Sequence, residues 1–478
     1  MVSDDRRIVV VGAGPNGLAA AVALAQNGFR VEVHEASDQI GGGAQSRALT
    51  LPGFIHDVCS AVHPMGIGSP YFRTLPLQQY GLEWIHPQVP MAHPFDDGTA
   101  AVLERSTAAT SDSLGGDDAR AYRRLMDPFV RRWEALMSDA LAPPIRIPRH
   151  PLVMARMGWF GMRSAMGLAE SLFGSSRARA HFVGIAAHTL LKMEMLPSAA
   201  FGIMLAVAGH GAGWPVPRGG SQSIANALAS LLRELGGTIV TGSRVESLDR
   251  FDDARAVVLD VTPRQLLSIA GERLSSPYRT QLRHWRYAPG VFKIDWALSA
   301  PIPWTAPQCR RAGTLHLGGT AEEIARSAAD AWEGRDDERP YVILAQPSLF
   351  DPTRAPAGKH TAWAYCHVPH GSTRDMTEAI ERQVERFAPG FRDAILARHT
   401  FNTRQLEEHN ANLVGGDING GVQDVVQFLF RPVIRLNPYR TSDPRIFLCS
   451  ASTPPGGAVH GMCGYWAART VIRTMNDQ

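Results

Sequence analysis

The N-terminal hydrophobic pattern predicts a strand, a helix and a second strand. Residues 8–11 (IVVV) are a short apolar run that ends in glycines, as buried parallel strands do. Residues 15–27 are rich in Ala and Leu and are followed by Gly28, a residue type that commonly ends helices. The strand-like pattern returns at 29–35. We therefore expect a β–α–β unit at the start of the fold.

The rest of the chain alternates between helical and strand-like segments. Prolines divide an Arg-, Met- and Trp-rich middle region, and apolar residues at helical spacing follow it. The expected elements are a mostly helical insertion at 91–214, a helix at 221–236, short strands at 238–240, around Val245 and at 256–261, a mixed segment at 288–400 with a helix near 376–387, and a C-terminal strand, glycine turn and helix from 446 onwards.

Composition and charge narrow the class of protein. A chain of 478 residues is longer than one hydrophobic core usually supports, so two domains are expected. With 45% apolar and 19% charged residues, the chain resembles an ordered globular enzyme. The net charge of +3 is too small for a nucleic-acid-binding surface. The longest apolar stretch, 199–209, is too short to span a bilayer.

The cysteines and the N-terminus indicate a compartment. The five cysteines are dispersed and form neither a redox pair nor a zinc spacing, and no other ligand set suggests a metal. The charged start MVSDDRR runs directly into the first strand, which predicts that there is no signal peptide. We therefore expect a cytoplasmic protein without a metal.

A dinucleotide-binding motif lies between the first strand and the first helix. Gly12, Gly14 and Gly17 form GxGxxG, and Glu35 follows Gly12 by 23 residues at the end of the second strand. The glycines permit a tight turn, a close approach to a pyrophosphate and close helix–strand packing, while the acid can bind ribose hydroxyls. The alternative is a tight turn without a ligand.

Further motifs resemble one flavoprotein superfamily. QIGGG at 39–43 follows the second strand, and LPGFIHD, PRGGSQSIANAL, SRVESL and SASTPPGGAVHGMCG follow at matching places along the chain. This series resembles the superfamily that contains amine oxidases, phytoene desaturases and Rab GDP-dissociation inhibitors. The GPNG and PGG patterns are most similar to the phytoene desaturase branch. The resemblance implies non-covalently bound FAD.

The resemblance also implies particular contacts with FAD. It places the first turn, with Gly12, Ala13, Gly14, Pro15, Asn16 and Gly17, at the pyrophosphate, and Glu35 and Ala36 at the adenosine ribose. The second glycine turn, with Gly42, Gly43 and Ala44, would lie beside the flavin, and the backbone of Val245 would contact adenine. The C-terminal turn, with Ser452, Gly457, Ala458 and Val459, would contact the ribityl chain and ring. The chain departs from the family at Ala44 and Gln45, where an Arg is common, and at Ser450 and Ser452, where glycines or an acid are common.

The resulting fold prediction is an α/β protein with two domains. A discontinuous Rossmann-type FAD-binding domain, similar to that of glutathione reductase, is expected to comprise 1–90, 215–287 and 405–478. A mixed α+β substrate domain with a helical cap is expected to comprise 91–214 and 288–404.

Candidate catalytic residues are Lys293 and His460. Lys293 lies in GVFKIDWAL, which looks like the strand that carries the flavin-facing Lys of many amine oxidases; the alternative is a lysine paired with Asp295, two positions along on the same strand face. His460 lies beside the C-terminal glycines, and imidazole titrates near neutral pH. His56 and His63 are weaker candidates that could instead cap loop backbone.

The expected function is an FAD-dependent dehydrogenase, desaturase or isomerase. Hydride would pass to flavin N5 from a hydrophobic substrate of isoprenoid or acyl type, and then to oxygen, a quinone or another acceptor. The alternatives are a flavin amine oxidase and a non-catalytic escort of lipids or prenylated proteins. Residues 151–173 could line a lipophilic tunnel, contact a membrane surface, or form an ordinary packed amphipathic helix.

Overall fold

A computed structural model describes residues 6–477, and residues 1–5, on which the signal-peptide prediction depends, lie outside this part. The strands are β1 (Arg7–Val11), β2 (Arg30–His34), β3 (Ser46–Arg47), β4 (His56–Asp57), β5 (Trp84–Ile85), β6 (Val89–Pro94), β7 (Ala100–Leu103), β8 (Val216–Pro217), β9 (Thr238–Val240), β10 (Ala256–Leu259), β11 (Gly290–Leu298), β12 (Ala312–Leu317), β13 (Val342–Ala345), β14 (His360–Val368), β15 (Ile395–Phe401) and β16 (Ile446–Leu448).

Helices connect and cover these strands. They are α1 (Pro15–Ala25), α2 (Pro64–Ile67), α3 (Thr107–Leu114), α4 (Gly116–Val130), α5 (Trp133–Ala140), α6 (Pro151–Gly161), α7 (Ala165–Leu172), α8 (Ser176–Ala186), α9 (Ser198–Gly211), α10 (Gln222–Glu234), α11 (Pro263–Ala270), α12 (Ser276–Arg283), α13 (Ala321–Trp332), α14 (Thr377–Phe387), α15 (Thr403–His409), α16 (Val425–Leu429) and α17 (Met462–Asn476).

The first sheet has five parallel strands in the order β16, β10, β1, β2, β9. Helix α1 packs between α10 and α17 on one side of this sheet, and α11 and α12 contribute to the hydrophobic core on the other side. Because both faces are covered, the central strands β1 and β10 are mostly continuous apolar runs without alternation. The predicted β–α–β unit and Rossmann-type α/β architecture are confirmed.

The second sheet has seven strands in the order β15, β11, β14, β13, β12, β6, β7. Its neighbours pair antiparallel except for β12 and β6, which are parallel. One face forms a core with α14, and the other faces the helical region that includes α8 and α9. The sheet therefore separates an apolar core from a second face that meets the helical cap.

Two sequence predictions need correction. The segment 91–214 is mostly helical, with α3–α9, but it opens with strands β6 and β7, which belong to the seven-stranded sheet. Strand β6 pairs with β12, more than 200 residues further along the chain, and β7 pairs with β6, so the local periodicity of β6 does not reveal its place in the sheet. Val245, expected in a strand, lies in the loop between β9 and β10. The division into two domains stays a prediction, although β6 begins just inside the segment assigned to the FAD-binding domain.

Candidate active site

One cavity of about 940 Å³ joins the two sheets. Its wall includes the first glycine turn, the ends of β2 and β10, the C-terminal turn at 457–460, the face of the seven-stranded sheet that meets the cap, and α6 and α9 of the cap. This size is typical of a site for a cofactor or a small molecule.

At one end of the cavity, the Glu35 carboxylate is fixed by two backbone amides. The N–H of Ala13 donates to Glu35 Oε2 at 2.7 Å, and the N–H of Ser37 donates to Oε1 at 2.9 Å. Glu35 and Ala36 both line the cavity. Because each carboxylate oxygen has a second lone pair, Glu35 can also accept hydrogen bonds from a ribose.

The two glycine turns pack directly on each other. The N–H of Gly41 donates to the Ala13 carbonyl at 2.9 Å, and a Cβ on Gly42 would lie 3.2 Å from the Cα of Gly14. A Cβ on Gly43 would meet no atom within 4 Å. Gly42 and Gly43 therefore form part of the open wall, whereas the buried Ala44 does not line the cavity.

Several residues that the resemblance assigns to FAD lie behind the wall. Gly12, Gly14, Pro15 and Asn16 line the cavity, as does Val245, but Ala13 and Gly17 do not. A Cβ on Gly17 would lie only 2.0 Å from the Gly12 carbonyl oxygen, so this glycine permits close packing.

Asp260, at the end of β10, is a site residue that sequence reasoning missed. Its Oδ2 accepts the Gly17 N–H at 2.9 Å, and the residue lines the cavity. Burial raises the pKa of Asp260 to about 7, against the lowering effect of the Gly17 hydrogen bond, and the charge of Glu35 adds to the rise. An acid directly after the apolar run at 256–259 was an available signal, because ligands bind at the carboxyl ends of parallel strands.

The C-terminal turn contains a non-glycine residue in the left-handed region. Ala458 has φ +99° and lines the cavity with Gly457, Val459 and His460. Such a backbone conformation costs energy and is concentrated at ligand sites. Ser452, in contrast, is buried and donates to the Gly420 carbonyl at 2.7 Å away from the cavity wall, where Ser450 is found instead.

His460 is held as a neutral hydrogen-bond donor. Its Nδ1 accepts the N–H of Met462 at 3.0 Å, so Nε2 carries the proton, and Nε2 has no partner among residues 6–477. Burial lowers the pKa of His460 to about 4, although the nearby carbonyls of Gly457 and Gly456 oppose this shift. At neutral pH the ring is therefore neutral and offers an N–H, and its catalytic role stays a prediction.

At the other end of the cavity, Lys293 forms the expected pair with Asp295, while its expected position facing the flavin stays a prediction. Lys293 lines the cavity, and its ammonium also forms a buried ion pair with Asp295. Burial raises the pKa of Asp295 to about 6, against the lowering effect of Lys293. His56 Nδ1 lies 3.6 Å from the other Asp295 oxygen. Asp295, which does not line the cavity, thus orients Lys293. The catalytic role of Lys293 stays a prediction.

The weaker histidine candidates bond to side chains and do not cap loop backbone. His56 is buried off the cavity, hydrogen-bonds Thr50 at 2.8 Å, and has its pKa lowered to about 3 by burial. His63 lines the cavity and donates through Nε2 to the Ser221 hydroxyl at 2.7 Å, because that hydroxyl itself donates to Ser60. Burial lowers the pKa of His63 to about 4. Neither ring is protonated at neutral pH.

The segment 151–173 forms α6 and α7. Helix α6 contributes Met154 and Met157 to the cavity wall, while Leu152 and Trp159 on its other face are 78% and 76% exposed. Within residues 6–477, no helix is long and apolar enough to cross a membrane, and no cluster of side chains is arranged to hold a metal ion.

The cavity fits FAD. Besides the fixed carboxylate and the strained turn, its wall contains buried polar atoms without a partner in the described chain, among them Asn16 Oδ1, Asn419 Nδ2 and Gln423 Oε1. Such atoms are costly unless a ligand or water meets them. The parallel sheet, the glycine turns and this wall define a dinucleotide-binding protein.

Comparison with known proteins identifies the family. A model of the family DAO, FAD dependent oxidoreductase, matches residues 7–402. The chain belongs to this family, and the FAD prediction is confirmed.

Related sequences align with nearly the whole length of this chain. The chain is 26% identical to pyridine nucleotide-disulfide oxidoreductase domain-containing protein 2 of Rattus norvegicus, over 98% of this chain and 94% of that protein. It is also 26% identical to the zeta-carotene-forming phytoene desaturase of Myxococcus xanthus, over 94% and 90%. A solved oxidoreductase from Methanosarcina mazei has the same fold, with a TM-score of 0.68 at 16% identity over 98% of this chain and 100% of that one.

Proposed function

We propose that this protein is an FAD-dependent dehydrogenase or desaturase that takes hydride from a lipophilic substrate. The observation that carries the proposal is the continuity of the cavity. One open space connects the Glu35 end with the Lys293 end and is bounded between them by apolar residues of α6 and α9, including Met154, Met157 and Met204. Flexible Met side chains suit a variable apolar ligand.

The two ends of the cavity take different roles in this proposal. When bound, FAD supplies a two-electron acceptor for hydride. Glu35 binds the adenosine ribose, and the turn at 457–460 contacts the ring system. Helix α17 begins directly behind this turn, so its positive end favours negative charge there. His460 adds an N–H donor, and Lys293 is available for proton transfer beside the substrate.

We propose further that the substrate enters from a membrane surface. Ile147, which lies between the cavity-lining Arg146 and Pro148, is 91% exposed, and Leu152 and Trp159 follow on α6. Apolar side chains that project beside cationic ones suit insertion among anionic lipids. We call the surface formed by Ile147, Leu152 and Trp159 the entry patch.

Amine oxidation is a second candidate. Trp363 and Tyr365 lie on the cavity wall with their ring centroids 5.3 Å apart and their planes at 71°. Aromatic faces attract ammonium groups. Tyr465 and Trp466 do not contribute to such a site, because they lie on α17 away from this cavity.

The test is anaerobic reduction of the purified holoenzyme. Its flavin absorbance would be followed while long-chain alcohols, acyl compounds, isoprenoids and primary amines are added separately. Bleaching by a lipid and not by amines supports the proposal, whereas bleaching by amines alone supports the second candidate. A protein whose flavin no compound reduces, but which binds lipids, would support the escort alternative. Reoxidation with oxygen or a quinone then identifies the electron acceptor.

A further inference from the structure

The two faces of the seven-stranded sheet differ sharply in polarity. On β11, Phe292, Ile294 and Trp296 point into the apolar core, while Lys293 and Asp295 point to the opposite face. Strands β12, β13 and β14 repeat this alternation. The residues on the cavity side of these three strands are Thr314, His316, Ile343, Ala345, Thr361, Trp363, Tyr365 and His367, of which Thr314, Ile343, Ala345, Trp363 and Tyr365 line the cavity. A pocket built for a pure hydrocarbon gains nothing from the polar groups of Thr314, Trp363 and Tyr365, because each must be desolvated.

Two hydrogen-bond donors among the cavity-lining residues of this face lack partners. Trp363 Nε1 and Thr314 Oγ1 are buried, line the cavity, and meet no acceptor among residues 6–477. An indole N–H can only donate, and a hydroxyl can donate as well as accept. A buried donor without an acceptor is destabilising, and because these two residues line the cavity, a ligand there can supply the acceptor.

The register of the strands places the two donors on either side of a gap. Thr314 pairs with Ala345 on β13, and Ala345 pairs with Trp363 on β14, so the three residues form one row across the sheet. With neighbouring strands about 4.8 Å apart, the Cα atoms of Thr314 and Trp363 are separated by about 10 Å. Only the methyl group of Ala345 stands between them. The gap is therefore suited to one small polar group approached by a donor from each side.

The position of Lys293 adds to this argument. Lys293 pairs with Tyr365, which lies in the neighbouring row on the same face of the sheet. The gap therefore lies beside Lys293, the residue expected to act at the reacting part of the substrate. Asp295 balances the charge of Lys293 and pairs with Trp363 on the side away from Ala345, so the uncharged Ala345 alone separates Thr314 from Trp363 in this row. A neutral oxygen acceptor matches these surroundings better than a carboxylate.

We infer that the substrate carries a neutral oxygen acceptor, a carbonyl or hydroxyl group, which binds the Trp363 indole N–H and the Thr314 hydroxyl. The site then selects an oxygenated lipid over a pure hydrocarbon. This inference rests on the proposed function, since it specifies the substrate class of the same cavity. Trp363 and Thr314 are specificity-determining residues that contact the substrate.

The experiment compares two ligands that differ only in oxygen. Tridecan-2-one and tridecane, each in the same detergent micelles, are titrated into the holoenzyme and binding is measured by calorimetry. The ketone is expected to bind at least about 10-fold more tightly than the alkane. Thr314→Val and Trp363→Phe are each expected to weaken ketone binding, relative to alkane binding by the same variant, by about 2- to 12-fold. Thr314→Ser, which restores a hydroxyl, should recover the ketone affinity.

Matched controls exist for both substitutions. Thr361 and Trp285 are buried and have side-chain donors without a partner in the described part of the chain, but neither lines the cavity. Thr361→Val and Trp285→Phe should therefore leave both affinities unchanged. Equal binding of ketone and alkane overturns the inference, and so does equal weakening of both ligands by Thr314→Val, or ketone binding that neither variant alters.

Failure of the inference and failure of the proposed function give different results. If the ketone preference is absent but a lipid still reduces the flavin, the inference is wrong and the proposed function stands. Absence of flavin reduction by every lipid removes the proposed function, yet the ketone preference can still be measured by calorimetry.

Discussion

The Asp260 carboxylate accepts the backbone N–H of Gly17 at 2.9 Å, although 243 residues separate the two in sequence. Gly17 lies in the first turn of α1, and the residue before this helix, Gly14, has no side chain with which to cap it. Asp260 therefore supplies a cap from β10. This arrangement places a carboxyl group at the same helix end that faces the cofactor phosphates.

The first prediction concerns the pH dependence of stability. Because burial raises the folded-state pKa of Asp260 to about 7, the folded protein keeps this proton up to that pH, whereas the unfolded chain loses it near pH 4. Stabilisation from this site is thus complete below about pH 4 and declines as pH rises to about 7. Asp260→Asn keeps an acceptor for Gly17 and cannot ionise.

Urea unfolding of wild type and variant between pH 4 and 8 measures this effect. The free energy of unfolding of Asp260→Asn relative to wild type is expected to increase by about 1 kcal/mol or more over this range. Comparison with wild type removes the contributions of the other titrating groups. Parallel curves for the two proteins would contradict the assigned pKa shift.

The fold was predictable where its signals are local. The β–α–β unit is marked by an apolar run, a helical segment ending at glycine and a second run within 35 residues. Strand β6 was missed because Val89–Pro94 contains prolines and is held by pairing with Ala312–Leu317, and β7, which pairs with β6, was missed with it. Non-local pairing of this kind leaves no pattern in the segment itself.

The site was predictable in its motifs but not in its arrangement. The alternation of polar and apolar residues in GVFKIDWAL and HTAWAYCHV is visible in the sequence, yet the register that puts Trp363 and Thr314 in one row is not. Likewise, GxGxxG identified the turn but did not show that the Gly17 amide is already bonded to Asp260. Both depend on contacts between distant segments.

The second prediction is that Glu35 is needed for tight FAD binding. Glu35→Gln replaces one carboxylate oxygen with an amide group, so a single acceptor oxygen remains for two backbone amides and a ribose. The substitution also removes the negative charge. We expect FAD affinity to fall by about 10-fold or more. Flavin fluorescence during reconstitution of the apoprotein measures it. Glu32→Gln, on the same strand but outside the cavity wall, should bind FAD as wild type does.

The third prediction separates the structural and catalytic roles of Lys293. Lys293→Met leaves the buried Asp295 without its cation, so the free energy of unfolding should fall by about 3–5 kcal/mol. The double variant Lys293→Met with Asp295→Asn should regain most of this loss, because neither charge remains. Urea unfolding of the two single variants and the double variant measures the coupling.

Activity of the double variant then tests catalysis without the folding defect. If Lys293 serves proton transfer, flavin reduction or reoxidation in the double variant should slow by about 100-fold. Stopped-flow absorbance distinguishes the two half-reactions. Wild-type rates in both, together with recovered stability, would assign the lysine a structural role only.

The fourth prediction is that the entry patch binds anionic membranes. Trp159 and Leu152 are 76% and 78% exposed on α6, and burying each in a bilayer contributes about 1.5–3 kcal/mol. Trp159→Ser combined with Leu152→Ser should therefore weaken sedimentation with vesicles of mixed phosphatidylglycerol and phosphatidylcholine by at least about 10-fold, with no loss of thermal stability. Leu436→Ser removes a side chain that is 87% exposed elsewhere and should leave vesicle binding unchanged. Equal loss of binding in both variants would show non-specific adsorption, and retention by the double variant would exclude the patch as the membrane contact.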